Sequence, residues 1–259
     1  MSDSETMKQD VESQELNFQA EVQQVLHLMV HSLYTNREVF LRELIANASD
    51  ALDKARFASL TNQEIASRLG ASEIRISFDK ERKTIAIEDN GIGMTRQEAI
   101  DHLGTIARSG TLDFLKKLKQ SGSTETQNLI GQFGVGFYSA FIVADRVDVE
   151  SKSAIDPDAP GVIWRSDGKG AFTVARSDRQ TPGTKVELHI NKEHEDLLSD
   201  YQIEILVKKY SDFVSHPIRM GEKTLNQTSA LWARSKSEIN EAQYEEFYHH
   251  VTGGFGKDT

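Results

Sequence analysis

Cysteine is absent from this chain of 259 residues. That excludes a disulfide scaffold, a thiolate zinc or iron–sulfur site and cysteine nucleophilic catalysis, and it fits a cytosol without fixing the redox compartment. Proline is scarce, at 4, and with 38% hydrophobic and 27% charged residues the composition is that of an ordinary soluble globular protein. Long apolar runs are also missing. The most apolar stretch, Phe137 to Ala144, is about half a membrane span or less. Met1 to Glu15 is polar and acidic and lacks the apolar core of a secretory signal. Positive charge is in deficit, 30 basic residues against 40 acidic for a net −10. Such a field repels nucleic acid and gives no general affinity for anionic surfaces. A polyphosphate ligand would have to be held locally, by backbone N–H groups, a metal ion or a few aimed cations.

A chain of this length buries roughly 70–75% of its unfolded surface, so it folds without staples or metal. It is expected to form one large domain, or one domain plus part of another. Residues 1–15 are expected to be a disordered tail. From Leu16 to Tyr34 the apolar residues follow helical spacing, and a second helix is expected from Arg37 to about Leu60, with Phe40, Leu41, Leu44, Ile45, Ala48, Leu52 and Ala55 on its apolar side. Ile74, Ile76 and Phe78, then Ile85 and Ile87, alternate with polar residues around a charged turn and predict a hairpin. Thr95 and Glu98 form a capping-box pattern that restarts a helix. Ser109 to Gln127 is punctuated by Gly and Ser and is too long for a simple connector; a mobile lid or a disordered insertion would account for it. A short apolar helix near Phe137 follows, then strands over 147–151, 162–166, 172–176 and 185–190, and a helix over 195–214. Alternating strands with short joints predict an antiparallel or mixed sheet with helices on one face. The polar stretch from Met220 to Ser229 is a plausible boundary, and the residues after it are expected to open a further domain.

Three segments carry chemistry. On the helix from Arg37, Glu43, Asn47, Asp50 and Lys54 are spaced i, i+4, i+7 and i+11 and form one stripe. A solvated helix face would explain such a stripe, but its flanks are apolar, which places it at the rim of a pocket. Asn offers a neutral oxygen to a hard cation such as Mg²⁺, and a carboxylate one turn away can orient or deprotonate a water. Asp89-Asn90-Gly91-Ile92-Gly93 stands where a strand ends. It could be a plain Asn-Gly turn, or an acid accepting from an exocyclic amine, with glycines that let backbone approach a planar ligand. Gly131 to Gly136, spaced Gly-x-x-Gly-x-Gly, precedes the apolar helix and suits an anion on backbone N–H groups. The spacing is neither a Rossmann fingerprint nor a P-loop.

In this order, Glu-x-x-x-Asn-x-x-Asp-Ala from Glu43, Asp-x-Gly-x-Gly from Asp89, Gly-x-x-Gly-x-Gly from Gly131 and the pair Gly183-Thr184 resemble the ATP-binding fold shared by gyrase, heat-shock chaperone, histidine-kinase and MutL proteins. The decapeptide Tyr34 to Glu43 is similar to a signature of the ninety-kilodalton heat-shock chaperones. Leu103 to Thr111 and Ile130 to Ser139 are similar to that family's lid and phosphate segments. The resemblance spans about Phe18 to Phe247 and favours the bacterial type, since the long charged linker of eukaryotic cytosolic members is lacking.

The resemblance implies an α+β two-layer sandwich, a twisted, mostly antiparallel sheet covered on one face by helices, spanning 16–220 with a lid over about 101–134. It implies ATP and ADP as ligands with Mg²⁺ on Asn47, Glu43 as general base and Arg42 holding it. Asp89 would accept from the adenine amine, with Gly93, Thr184, Asp50 and Met94 nearby and Lys54 further along the stripe. Gly134, Val135, Gly136 and Phe137 would face the phosphates; His102, Leu103 and Arg108 would contribute from the lid base. It implies slow ATP hydrolysis, because the family's further catalytic arginine lies in a middle domain. It also implies a cytoplasmic chaperone that acts on client proteins, with possible co-chaperones, and a homodimer in the full-length protein, although this chain would be monomeric. Neither nucleic acid nor membrane is expected as a partner.

Two rivals are a topoisomerase or mismatch-repair ATPase domain, which has no reason to carry the Tyr34–Glu43 decapeptide, and a nucleotide-binding module without catalysis, which has no need of Glu43. His27 and His31 form a possible metal pair without a third ligand at motif spacing; His249-His250 and the lysines 116, 117 and 119 are expected to be solvated, and Trp232 and Phe247 to belong to a further core.

Overall fold

The computed structural model describes residues 13–18, 37–104 and 136–227. The expectations for His27, His31, Arg108, Gly134, Val135, most of the lid and the segment after 227 lie outside the described residues. Among the described residues nine strands form one sheet: β1 (Gln14–Asn17), β2 (Ile74–Asp79), β3 (Thr84–Asp89), β4 (Ala144–Lys152), β5 (Gly161–Ser166), β6 (Ala171–Ser177), β7 (Gly183–Ile190), β8 (Ile218–Met220) and β9 (Lys223–Thr224). Their order is β1-β6-β5-β4-β7-β3-β2-β8-β9. All neighbours are antiparallel except β2 and β8, joined in parallel after a helical crossover. The mostly antiparallel α+β reading is borne out.

Alternation explains the two faces. Ile74 and Ile76 on β2, Ile85 and Ile87 on β3, Val147 and Val149 on β4 and Leu188 on β7 are buried on one face. Their strand neighbours Arg75, Glu88, Asp148 and Glu187 line the other and form ion pairs there, such as Arg82 with Glu187 at 2.8 Å. Helix α1 (Val39–Thr61) lies on the apolar face and buries the seven residues expected for its apolar side. Asn62 ends α1 in an extended conformation and caps α2 (Gln63–Arg68), its Oδ1 accepting from Glu64 N at 2.9 Å. Thr95 and Glu98 complete the predicted capping box on α3 (Arg96–Leu103).

Four local expectations need correction. Gln14 and Glu15, assigned to the tail, and Leu16 and Asn17, assigned to a helix, form β1 at the sheet edge. The strand is held by Phe18, which enters an aromatic cluster with Phe172 at 5.1 Å and Trp164 at 6.1 Å. The segment at Phe137 is a 3₁₀ helix (Gly136–Ile142), because Ser139 Oγ bonds back to Gly136 O at 2.5 Å and Val143 N to Ala140 O at 3.3 Å. The helix expected over 195–214 is broken. A 3₁₀ turn (Lys192–Leu197) precedes α4 (Asp200–Ser211), since Ser199 is extended at the N-cap position. Tyr201 and Ile205 then face solvent, while Ile203, Leu206 and Val207 are buried. Finally, the sheet continues through β9, and Leu225 and Asn226 are buried, so the packed unit extends past the expected boundary at 220.

Candidate nucleotide site

The inward columns of β3, β7 and β4 are apolar until their last residues at one end. There Asp89 pairs in register with Thr184, and Thr184 with Ser151. Three polar side chains thus close three apolar columns on the face covered by α1. Asp89 is 6% exposed. Its Oδ1 accepts from Gly91 N at 2.8 Å. Burial nevertheless pushes its carboxyl up to about 7, against the lowering effect of the Gly91 N–H, Arg179 and the Thr184 N–H. A carboxyl so buried at the end of a core column, with a strongly raised pKa, is a candidate ligand group. Ser151 Oγ accepts from Met94 N at 2.8 Å and lies 2.9 Å from Thr184 Oγ1 and 3.1 Å from Gly183 O. It therefore fixes both Met94 and the Thr184 hydroxyl. Sequence reasoning missed Ser151, although its inward parity at a strand end was a usable signal.

The loop after Asp89 is tied down at both sides. Ile92 N donates to Ala51 O of α1 at 3.0 Å, and Ala154 N to Ile92 O at 2.8 Å. Helix packing requires Gly91 here, since a Cβ would stand 2.6 Å from the Ala51 carbonyl carbon. Gly93 has φ +62, and a Cβ there would stand 1.9 Å from Lys152 O. Gly93→Ala is expected to destabilise the fold by more than about 2 kcal/mol; the shift of the urea midpoint at constant m measures it.

At the other end of α1, Glu43 is 8% exposed. Arg42 curls back so that Nε and an Nη both donate to Glu43 Oε1, at 3.0 and 2.7 Å. Gly136 closes over the carboxylate, and a Cβ on it would stand 2.4 Å from Glu43 Oε2. This brings the start of the phosphate segment against the expected base. The structure therefore joins Glu43, Arg42 and Gly136 in one cluster, and Asp89, Gly93, Met94 and Thr184 in another, with α1 bridging them.

A family model described as histidine kinase-, DNA gyrase B- and HSP90-like ATPase matches residues 34–164, more than half of the chain. The chain belongs to this ATPase family. Proteins named chaperone protein HtpG are similar to it. The one from Shigella dysenteriae serotype 1 (strain Sd197) is 48% identical over 250 residues, which covers 92% of this chain and 40% of the relative. Those from Escherichia coli O1:K1 / APEC and strain K12 are each 47% identical, covering 93% and 92% of this chain and 40% of the relative. The chain thus spans about two fifths of the length of these curated relatives.

In this member of the ATPase family the stripe on α1 emerges from the core as it runs. Glu43 is buried, while Asn47, Asp50 and Lys54 are exposed. Among the described residues no group of three or more His, Asp or Glu side chains could hold a metal ion alone. A neutral amide oxygen on Asn47, one turn from Glu43, suits Mg²⁺ whose remaining ligands are phosphate oxygens and water. His102 is exposed at the end of α3, and Leu103 is buried in the core. Leu103 O accepts from Tyr138 Oη at 3.1 Å, linking the end of α3 to the 3₁₀ helix that begins at Gly136. Phe137 is 8% exposed and meets Trp164 edge-on at 5.6 Å, so its ring belongs to the core and only its backbone is available to a ligand. No helix among the described residues is long and apolar enough to cross a membrane.

Proposed function

We propose that this chain is the ATP-binding and ATP-hydrolysing part of a bacterial HtpG-type chaperone. The observation that carries this reading is Asp89, a buried acid held against Gly91 N–H at the end of a core column, beside the Ser151–Thr184 hydroxyl pair. In its ionised form a carboxylate only accepts, which matches an exocyclic purine amine. Thr184, Gly93 and Met94 complete the ring edge, with Asp50 at its rim. The backbone N–H groups of Gly136 and Phe137 would serve the phosphates, with Gly134 and Val135 as further contributors, which is how so acidic a chain would hold a polyanion.

Asn47 would hold Mg²⁺, which when bound would neutralise charge on the phosphate oxygens. Glu43, oriented by Arg42, takes a proton from the attacking water. Arg108, His102, Leu103 and Lys54 are contributors from the lid base and the outer stripe. Turnover in this chain is slow, because its residues supply little positive charge for the charge developing on the γ-phosphate. The whole protein would be a cytoplasmic homodimer that remodels client proteins, with co-chaperones as further partners, while this chain alone is monomeric.

Calorimetric titration with ADP, with and without Mg²⁺, tests the reading. One site per chain is expected, with tighter binding when Mg²⁺ is present. Absence of heat together with an unshifted melting temperature at millimolar ADP would refute it.

A further inference from the structure

The polar row Asp89, Thr184 and Ser151 runs in register across β3, β7 and β4. Ser151 is 0% exposed and Thr184 9%. Ser151 is therefore sealed behind its neighbours and acts on a ligand only through them. A hydroxyl has one hydrogen to give and two lone pairs that accept. Around Ser151 Oγ stand three polar groups: Met94 N at 2.8 Å, Thr184 Oγ1 at 2.9 Å and Gly183 O at 3.1 Å.

These neighbours fix where the hydrogens lie. Met94 N–H only donates, Gly183 O only accepts, and the Thr184 hydroxyl does either. If Ser151 gave its hydrogen to Thr184, its oxygen would face the Gly183 carbonyl at 3.1 Å with no proton between them. Such a contact of two acceptors is costly in a buried place. With the hydrogen on Gly183 O instead, Thr184 donates to Ser151, and all three contacts are hydrogen bonds. Both lone pairs of Ser151 are then used. The one hydrogen of Thr184 is turned toward Ser151, and its oxygen keeps only lone pairs for other partners.

We propose that Ser151 is a positioning residue for base selectivity: by taking the Thr184 hydrogen it makes Thr184, like the Asp89 carboxylate, a pure acceptor, so that the site selects a 6-amino purine over a 6-oxo purine. The inference rests on the reading of Asp89 and Thr184 as the purine edge. Asp89 Oδ1 takes the Gly91 N–H at 2.8 Å, and the carboxylate has further lone pairs to offer. A 6-amino group brings two N–H donors to this pair of acceptors, directly or through a water. A 6-oxo group sets lone pairs against lone pairs, a mismatch that buried polar sites reject. Thr184 without Ser151 would not discriminate in this way, because a free hydroxyl rotates to donate or to accept.

The test compares ADP with inosine diphosphate, which carries an oxygen where ADP carries the amine. Affinities are measured by calorimetry at pH 8, where most of Asp89 is ionised. The readout is the ratio of the two dissociation constants. Ser151→Ala is expected to lower the parent preference for ADP by at least about fivefold, mainly through tighter binding of inosine diphosphate. Ser151→Thr keeps the hydroxyl and should restore the parent ratio. In a Thr184→Val background, Ser151→Ala should leave the ratio unmoved, since its effect passes through the threonine. A merely structural role for Ser151 would weaken both nucleotides equally, and a ratio unchanged in Ser151→Ala overturns the proposal. Should that variant not fold, Thr184→Val carries the test. Loss of a pure acceptor lowers the preference for ADP, and a preference that rises or stays is the overturning result. If the parent binds neither nucleotide, the purine reading itself fails and the proposal with it. Tight ADP binding with an indifferent ratio removes only the part assigned to Ser151.

Discussion

Asp89→Asn is expected to abolish nucleotide binding, with at least about a 100-fold loss of ADP affinity, and to make the empty protein more stable at neutral pH. The first effect follows from polarity. An amide in place of the carboxylate either turns an N–H toward the purine amine or gives up the bond from Gly91 N–H that now fixes the side chain. The second follows from linkage. The folded carboxyl titrates near 7 against an ordinary value of 3.8, so the folded state holds the proton more tightly over that interval. Stability is therefore unaffected by this group below about pH 4, falls as pH rises through the interval, and bears the full cost above about pH 7. That cost is at most about 4 kcal/mol. The amide of the variant has no charge to desolvate and can still accept from Gly91. Urea unfolding of the parent and the variant at pH 4 and pH 8 checks the sign: near-equal midpoints at the lower pH and a higher midpoint for the variant at the upper. Equal ADP affinity in the two proteins would remove Asp89 from the site altogether.

Glu43→Ala should separate binding from chemistry. The carboxylate sits under Gly136 and takes two N–H groups from Arg42, away from the Asp89–Thr184–Ser151 row that would hold the base. ADP affinity is expected to stay within about threefold of the parent, while ATP turnover falls by about 10²–10⁴, the usual contribution of a positioned general base. Glu43→Gln keeps the side-chain volume and a hydrogen-bond acceptor for Arg42. It should lose turnover to a similar degree, which distinguishes proton transfer from packing. Isothermal titration and single-turnover phosphate release give the two numbers. Turnover unchanged in both variants would mean that Glu43 has only a structural part in holding Arg42 and the phosphate segment.

The strand positions were legible because alternation shows which side chains face the core, and Ile74 to Phe78 and Ile85 to Ile87 follow it closely. The α1 stripe and the Thr95 cap were legible for a similar reason, since both depend on neighbours within one or two turns. Less legible were short segments whose conformation is set by contacts from far along the chain. Gln14–Asn17 is too short to show a period, and it becomes a strand because β6 offers it a partner edge and the aromatic cluster accepts Phe18. The break at Leu198–Ser199 is hidden by apolar residues on both sides, two of which, Tyr201 and Ile205, are exposed. The Asp-x-Gly-x-Gly pattern likewise gives no hint that Gly91 packs against the α1 backbone at Ala51.

The sequence by itself determined the inward columns, the Thr95 cap, the acid at the end of β3 and the acid–amide stripe on α1, because each depends on local period or on a single residue's chemistry. Only the tertiary structure decided that Ser151 holds Thr184 and Met94, and that Gly136 closes over Glu43. These pairs are distant in the chain and meet through sheet register and loop packing. Charge and burial at such meetings depend on distances in space, and a linear sequence does not contain them.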